Sequence, residues 1–247
     1  MINDKKVIVG IRTIAREQTA STFGCLYALR FLFDGMVIVG SLDNSSLRIV
    51  NRMMQEVPVV WDNRTGLSGE QASRLISHLL VWKEDVDYVL LLDDDQVFDG
   101  YVIEEIVEKV NEDEVATVVV QETLGWGARD YVSLTVNPSI DFFSLVRFDR
   151  FKFFSSEEIR LLESLNKGGE FFFMNWVLTD KGRDLEKVKV LDLEKLRPLH
   201  LWFRKEKSKV WSSFSRQFWD DLYVRVMSCK TLEEVVSVYK DFGLLEE

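Results

Sequence analysis

Tyr88-Val89-Leu90-Leu91-Leu92-Asp93-Asp94-Asp95-Gln96-Val97 carries an apolar run straight into three adjacent carboxylates. A short, unbroken apolar run of this kind suits a strand covered on both faces, as in a parallel sheet. Ligands of open α/β sheets sit just outside the carboxyl ends of such strands. Carboxylates packed this closely repel one another and bind protons more tightly unless a cation, or an Arg or Lys, neutralises them. In extended backbone Asp93 and Asp95 point to one side and Asp94 to the other. A divalent cation is the economical explanation, because short Asp side chains supply the oxygen ligands that suit Mg2+ or Mn2+. The competing reading is an acidic loop in water, with Asp99 serving only as a helix cap.

Similar runs recur on either side. Val7–Ile11, Met36–Val39 and Val57–Trp61 precede this strand, and Val115–Val120 follows it. The segments between them are long enough for crossover helices. Ser68 and Gln71 form a capping box ahead of an apolar stripe of Leu75, Ile76, Leu79 and Leu80. Asp99 caps the next helix, which turns Ile103, Ile106, Val107 and Val110 inward. The expected fold class is α/β, with a mostly parallel central sheet flanked by helices.

The second half is less regular. Val132–Val136, Phe142–Phe148, Val188–Leu191 and Leu199–Phe203 read as strands, whereas Ser155 with Glu158, and Glu170–Leu178, read as helices. A smaller second sheet and a helical tail follow. Trp211, Phe214, Phe218, Leu222 and Val226 keep a 3.6-residue rhythm, and Thr231 with Glu234 caps a last helix. No repeat or flexible linker divides the chain. Residues 1–203 are expected to form one domain, 1–98 on the nucleotide side and 99–203 on the other, with 204–247 as a C-terminal helical extension.

The chain has 247 residues, 47% of them hydrophobic, enough for a substantial core. Its 31 Lys and Arg against 41 Asp and Glu give a net charge of -10. That balance argues against nucleic acid or an anionic membrane as the main partner, since both favour a basic footprint. Cys25 and Cys229 lie far apart, without metal-ligand spacing. No apolar run approaches the roughly 20 residues of a bilayer span, and no signal peptide is visible. The expected location is cytoplasmic.

LLDDDQVF resembles the D-x-D motif of nucleotide-sugar-dependent glycosyltransferases of the GT-A fold, of the family-2-like kind. Three further stretches resemble that family in order along the chain. Val7–Ile11 runs into Gly10-Ile11-Arg12-Thr13, where the family's first strand lines the base and ribose pocket. Gly40-Ser41-Leu42-Asp43-Asn44-Ser45-Ser46 resembles the region after the second strand. Asn63-Arg64-Thr65-Gly66-Leu67-Ser68, with Ala72 and Arg74, resembles a stretch whose arginine faces the donor phosphates. Later, Gly168-Gly169-Glu170-Phe171 stands where the family carries an acidic pair beneath the acceptor, with Phe171 in the second place. Pro198-Leu199-His200-Leu201 supplies a late histidine.

This resemblance implies a GT-A fold and a sugar transfer from a nucleoside-diphosphate sugar to an acceptor hydroxyl. It implies that Arg12, Thr13, Asp43, Arg74, Asp93 and Asp94 contact the donor, and that Asp93, Asp95 and His200 hold Mn2+ or Mg2+. Glu170 is implied as general base. The acceptor is a carbohydrate, a lipid-linked molecule or a small molecule. His200, between Leu199 and Leu201, also reads as an ordinary strand histidine, and His78 as a satisfied helix histidine.

Gln121–Asp130 reads as a mobile loop in which Trp126 either stacks on a sugar or anchors the loop. The tail sets Lys205, Lys207, Lys209 and Arg216 beside its aromatic residues. Such a helix lies on a membrane or docks a subunit, although packing on the sheet is the simpler account. Among rivals, Asp93-Asp94-Asp95-Gln96-Val97 also matches the motif of haloacid-dehalogenase-like Mg2+-dependent phosphatases, which place it on their first strand. A non-catalytic nucleotide- or sugar-binding module is the third reading. The sequence lacks a Walker-type or Rossmann glycine pattern, which argues against ATPases and dehydrogenases.

Overall fold

The computed structural model describes residues 4–15, 18–66, 68–82, 85–110, 115–118, 120–124, 133–135, 143–147, 188–191, 198–202, 218, 221–222, 224–225, 228–229 and 232–243. Strands and helices alternate through the first half: β1 Val7–Ile14, α1 Thr19–Ala28, β2 Gly35–Ser41, α2 Asn44–Met53, β3 Val59–Asp62, α3 Ser68–Leu79 and β4 Tyr88–Asp93. There follow β5 Gln96–Val97, α4 Gly100–Lys109, β6 Val115–Val118, β7 Val120–Leu124, β8 Ser133–Thr135, β9 Phe143–Arg147, β10 Val188–Leu191 and β11 Leu199–Trp202. The last described helix is α5, Leu232–Asp241.

The main sheet has seven strands in the order β10-β6-β9-β4-β1-β2-β3. β1 runs parallel to β2 and β4, and β2 parallel to β3. β9 is the antiparallel member, wedged between β4 and β6. β1, β2 and β4 are buried almost from end to end, as unbroken apolar runs covered by helices on both faces should be. Gly10 lets the sheet and α3 close together: a Cβ there would lie 3.0 Å from the Leu91 side chain and 3.2 Å from that of Leu79. The helices bury the faces their spacing predicts. Leu75, Ile76 and Leu79 of α3, and Val102, Ile103, Ile106 and Val107 of α4, enter the core. The Asp99 carboxylate accepts from the Tyr101 amide and caps α4, as expected.

The smaller sheet has the order β5-β11-β7-β8. It corrects one reading. Val115–Val120 is two strands, β6 in the main sheet and β7 in the smaller one, and Gln121–Leu124, expected as loop, belongs to β7. A run this rich in Val contains no mark of where a chain leaves one sheet for another, and polar Gln121, Glu122 and Thr123 hid the continuation. Expected Val57–Trp61 begins later and ends one residue on, as Val59–Asp62. Pro58 has no N–H for the ladder, so only its carbonyl takes part, accepting from the Met36 amide at 3.0 Å.

In the tail, Leu222 and Tyr239 are buried, and the rings of Phe218 and Phe242 meet edge to face at 5.1 Å. Among the described residues no helix is long and apolar enough to cross a membrane. The expected helices at Ser155 and at Glu170–Leu178, the Trp126 loop, Trp211, Phe214 and Thr231 lie outside the described residues.

Candidate functional site at the end of β4

From β1 the chain steps outward through β2 to β3, then returns to lay β4 on the opposite side of β1. The strand order therefore reverses between β1 and β4, and such a switch point opens a crevice beyond the carboxyl ends of its two strands. The register sets Arg12 against Asp93 at that crevice. Arg12 Nη2 lies 3.8 Å from Asp93 Oδ1, and 34% of the Asp93 side chain remains exposed, against 13% for Arg12.

The acidic run does not continue as extended strand. β4 stops at Asp93, and Asp94 and Asp95 form a turn before β5. The expected alternation is thereby replaced: three like charges in succession are separated by turning the backbone. The buried Asp94 carboxylate faces inward. Its Oδ2 accepts from Thr13 Oγ1 at 2.9 Å, Thr19 Oγ1 at 3.1 Å and the Ile14 amide at 3.1 Å. Thr13, also expected at the donor, is buried and reaches the Ser41 carbonyl at 3.1 Å as well. Asp95 is buried too. The Gln96 carboxamide oxygen accepts from the Asp93 amide at 3.1 Å and closes the turn.

β11 pairs antiparallel with β5, and His200 stands opposite Gln96, one residue from Asp95. Glu170 lies outside the described residues.

Asp43 caps α2: its carboxylate accepts from the Ser45 and Ser46 amides and from Ser46 Oγ. Burial pushes its proton affinity up, but those three donors outweigh burial and hold the carboxyl below its ordinary value. Arg74 donates from Nε to the Glu70 carbonyl and from Nη1 to the Arg64 carbonyl, bracing the turn between β3 and α3. Sequence reading overlooked a second carboxylate, Asp62, at the end of β3. Arg64 grips it through Nε and Nη2, and His78 Nε2 lies 3.0 Å from its Oδ2. The Arg64 hydrogen bonds, against burial and with help from His78, hold Asp62 far below the carboxylate range. The signal was available: Asp62 ends an apolar run just as Asp93 does.

Among the described residues, no group of three or more His, Cys, Asp or Glu side chains could hold a metal ion. A cation that bridges nucleotide phosphates needs less, since Mg2+ sites of that kind use one or two carboxylates and take the remaining oxygens from phosphate and water. In the turn Asp93 is the partly exposed carboxylate, whereas Asp94 and Asp95 are buried.

Neither a family model nor a curated protein matches the chain. Among solved structures, the chain is similar to GalNAc-T7 with UDP, GalNAc and Mn2+, at 11% identity and a TM-score of 0.52 over 98% of this chain. It spans 55% of that structure's chain. It is also similar to a 4-diphosphocytidyl-2C-methyl-D-erythritol synthase from Anaerococcus prevotii, at 13% identity and a TM-score of 0.42, covering 78% of this chain and 89% of that one. A second synthase of that name gives 14% identity and a TM-score of 0.48, covering 84% and 97%. At these identities the likeness to GalNAc-T7 is one of fold, and the fold it identifies is a GT-A-like α/β sheet.

Proposed function

We propose that the chain is a metal-dependent glycosyltransferase, which binds a nucleoside-diphosphate sugar beyond β1 and β4 and passes the sugar to an acceptor hydroxyl. The observation that carries this reading is the pairing of Arg12 with Asp93 at the strand-order reversal, which leaves a partly exposed carboxylate and a guanidinium side by side. A crevice with both signs of charge suits a diphosphate that arrives with a cation. Asp93, Asp95 and His200 would hold Mn2+ or Mg2+. When bound, the cation offsets the charge that develops on the departing nucleoside diphosphate.

Arg12 donates hydrogen bonds to diphosphate oxygens, and Arg74 adds positive charge from the middle of α3. Asp43 accepts from the base or ribose with whatever lone pairs its capping role leaves. Glu170 takes the proton of the acceptor hydroxyl, which requires hydrogen-bond reach to that oxygen. The sugar carbon gains oxocarbenium character as the bond to phosphate lengthens, as in other glycosyl chemistry. GalNAc-T7 holds UDP, GalNAc and Mn2+ in a similar fold, which makes UDP the first probe.

The test is a calorimetric titration with UDP, GDP, CDP and dTDP, each with and without Mn2+, on the wild type and on Asp93→Asn and Asp95→Asn. Manganese-dependent binding of one nucleotide, lost in both variants, is the expected result. Absence of binding across the panel removes this reading, and hydrolysis of phosphate monoesters with Asp93 as nucleophile becomes the next assay.

A further inference from the structure

Asp94 is held by two elements, β1 and α1. From β1 come Thr13 Oγ1 and the Ile14 amide, and from α1 comes Thr19 Oγ1, all three on one carboxylate oxygen. The same face of α1 then follows the chain onward. Thr22 Oγ1 donates to the Asp94 carbonyl at 2.9 Å. Cys25 Sγ donates to the Phe98 carbonyl at 2.9 Å and accepts from the Phe98 amide at 3.4 Å. Thr19, Thr22 and Cys25 are three residues apart, so they line one face of the helix. The segment from Asp94 to Phe98, which contains β5, is thus fastened to α1 at its two ends.

Backbone strain sits at the same place. Ala15, just past β1, has φ +60°, a left-handed conformation that a non-glycine residue keeps only where its surroundings enforce it. Its amide donates to Thr13 Oγ1 at 3.2 Å, within the group that holds Asp94.

We infer that Asp94 is a positioning residue: its inward carboxylate clamps the acidic turn to β1 and α1 and thereby sets how Asp93 meets the crevice. The clamp itself follows from the hydrogen bonds; its consequence for a ligand rests on the proposed function. A carboxylate oxygen suits three donors better than an amide oxygen does, because it carries charge and its hydrogen bonds are stronger. Asp94→Asn keeps the volume and weakens the acceptor, whereas Thr19→Val keeps the shape of the helix face and removes one donor.

Amide hydrogen exchange on the full chain tests the clamp. In Asp94→Asn and in Thr19→Val, the amides of Ile14 and Asp93 are expected to exchange about tenfold faster, while those of β2 and β3 keep their rates. The Asp93 amide donates to the Gln96 side chain, so the loss of a bond from Thr13, Ile14 or Thr19 leaves it unchanged unless the turn moves. An unchanged Asp93 amide in both variants overturns the inference. Should Asp94→Asn fail to fold, Thr19→Val carries the same expectation.

Titration with UDP and Mn2+ gives the second readout. Asp94→Asn and Thr19→Val each weaken binding, the former about tenfold, and the double variant is no weaker than Asp94→Asn. A loss in Asp94→Asn alone, with full affinity in Thr19→Val, makes Asp94 a ligand-contacting residue and overturns the positioning role. If the wild type binds no UDP, the glycosyltransferase reading falls while hydrogen exchange still decides the clamp.

Discussion

Asp62 and Asp93 end two parallel strands of one sheet, with β1 and β2 between them, and their surroundings differ sharply. Asp62 has a bidentate arginine and a histidine on it, and only 5% of its side chain reaches solvent. Asp93 has a guanidinium at 3.8 Å and remains one-third exposed. The first is an ion cluster closed on itself, whose hydrogen bonds stabilise the fold. The second keeps one-third of its side chain in solvent beside Arg12. A carboxylate at a strand end is therefore not in itself a binding group. What distinguishes the two is which cation is covalently tethered nearby: Arg64 is two residues from Asp62 and folds back onto it, whereas Arg12 belongs to the neighbouring strand.

The sharpest way to break both regions together is Gly40→Ala. Gly40 has φ +119°, and a Cβ there would lie 1.9 Å from the Thr13 carbonyl oxygen, backbone that cannot move aside. Its own carbonyl accepts from Trp61 Nε1 at 3.0 Å, which links the end of β2 to β3. Urea unfolding should show a loss of about 3–5 kcal/mol. Asp62→Asn comes next, with a loss of about 2 kcal/mol, because the Arg64 guanidinium keeps its place without a charged acceptor.

The same variant separates the regions by pH. Asp62 has a folded-state value depressed below its unfolded one, so the unfolded chain binds more protons between the two. The stabilisation is complete above the ordinary carboxylate value of about 4 and is lost as pH falls from there toward the folded value. Wild-type stability should therefore decline more steeply with acid than that of Asp62→Asn, as denaturant midpoints between pH 6 and pH 3 can show.

Asp93→Asn should do the reverse of Asp62→Asn. Its stability stays within about 0.5 kcal/mol of the wild type, as for other loosely paired surface charges. Its affinity for a nucleotide with Mn2+ drops at least tenfold, about 1.4 kcal/mol. Equal stability losses in the two variants would erase the contrast drawn above. The smallest effect belongs to Asp43→Ala, about 1 kcal/mol from the lost cap of α2. Asp43→Asn restores the cap, since Asn caps well; reduced nucleotide affinity in that variant, at restored stability, assigns Asp43 a second role beside the cap.

Much of this was legible one segment at a time. Apolar runs and caps carry their own periodicity, so β1, β2, β4 and the inward faces of α3 and α4 could be read from neighbours within a few residues. Asp99 is a further instance, because its cap bond reaches only two residues along the chain. The division of Val115–Val120 between two sheets could not be read, since the choice of partner strand is a long-range matter. The inward turn of Asp94 was equally hidden: the groups that donate to it lie 75 to 81 residues away in sequence.

Local spacing thus determines that an acidic segment follows a buried strand in an α/β chain, because hydrophobic period and capping act over single turns and strands. Tertiary structure alone decides what each carboxylate does there. Strand order puts Arg12 beside Asp93, the fold of α1 against the turn takes Asp94 inward, and β11 brings His200 opposite Gln96. The physical reason is the range of the forces involved: propensity is settled by near neighbours, but a charge is settled by whatever polar group the folded chain sets within about 3 Å of it.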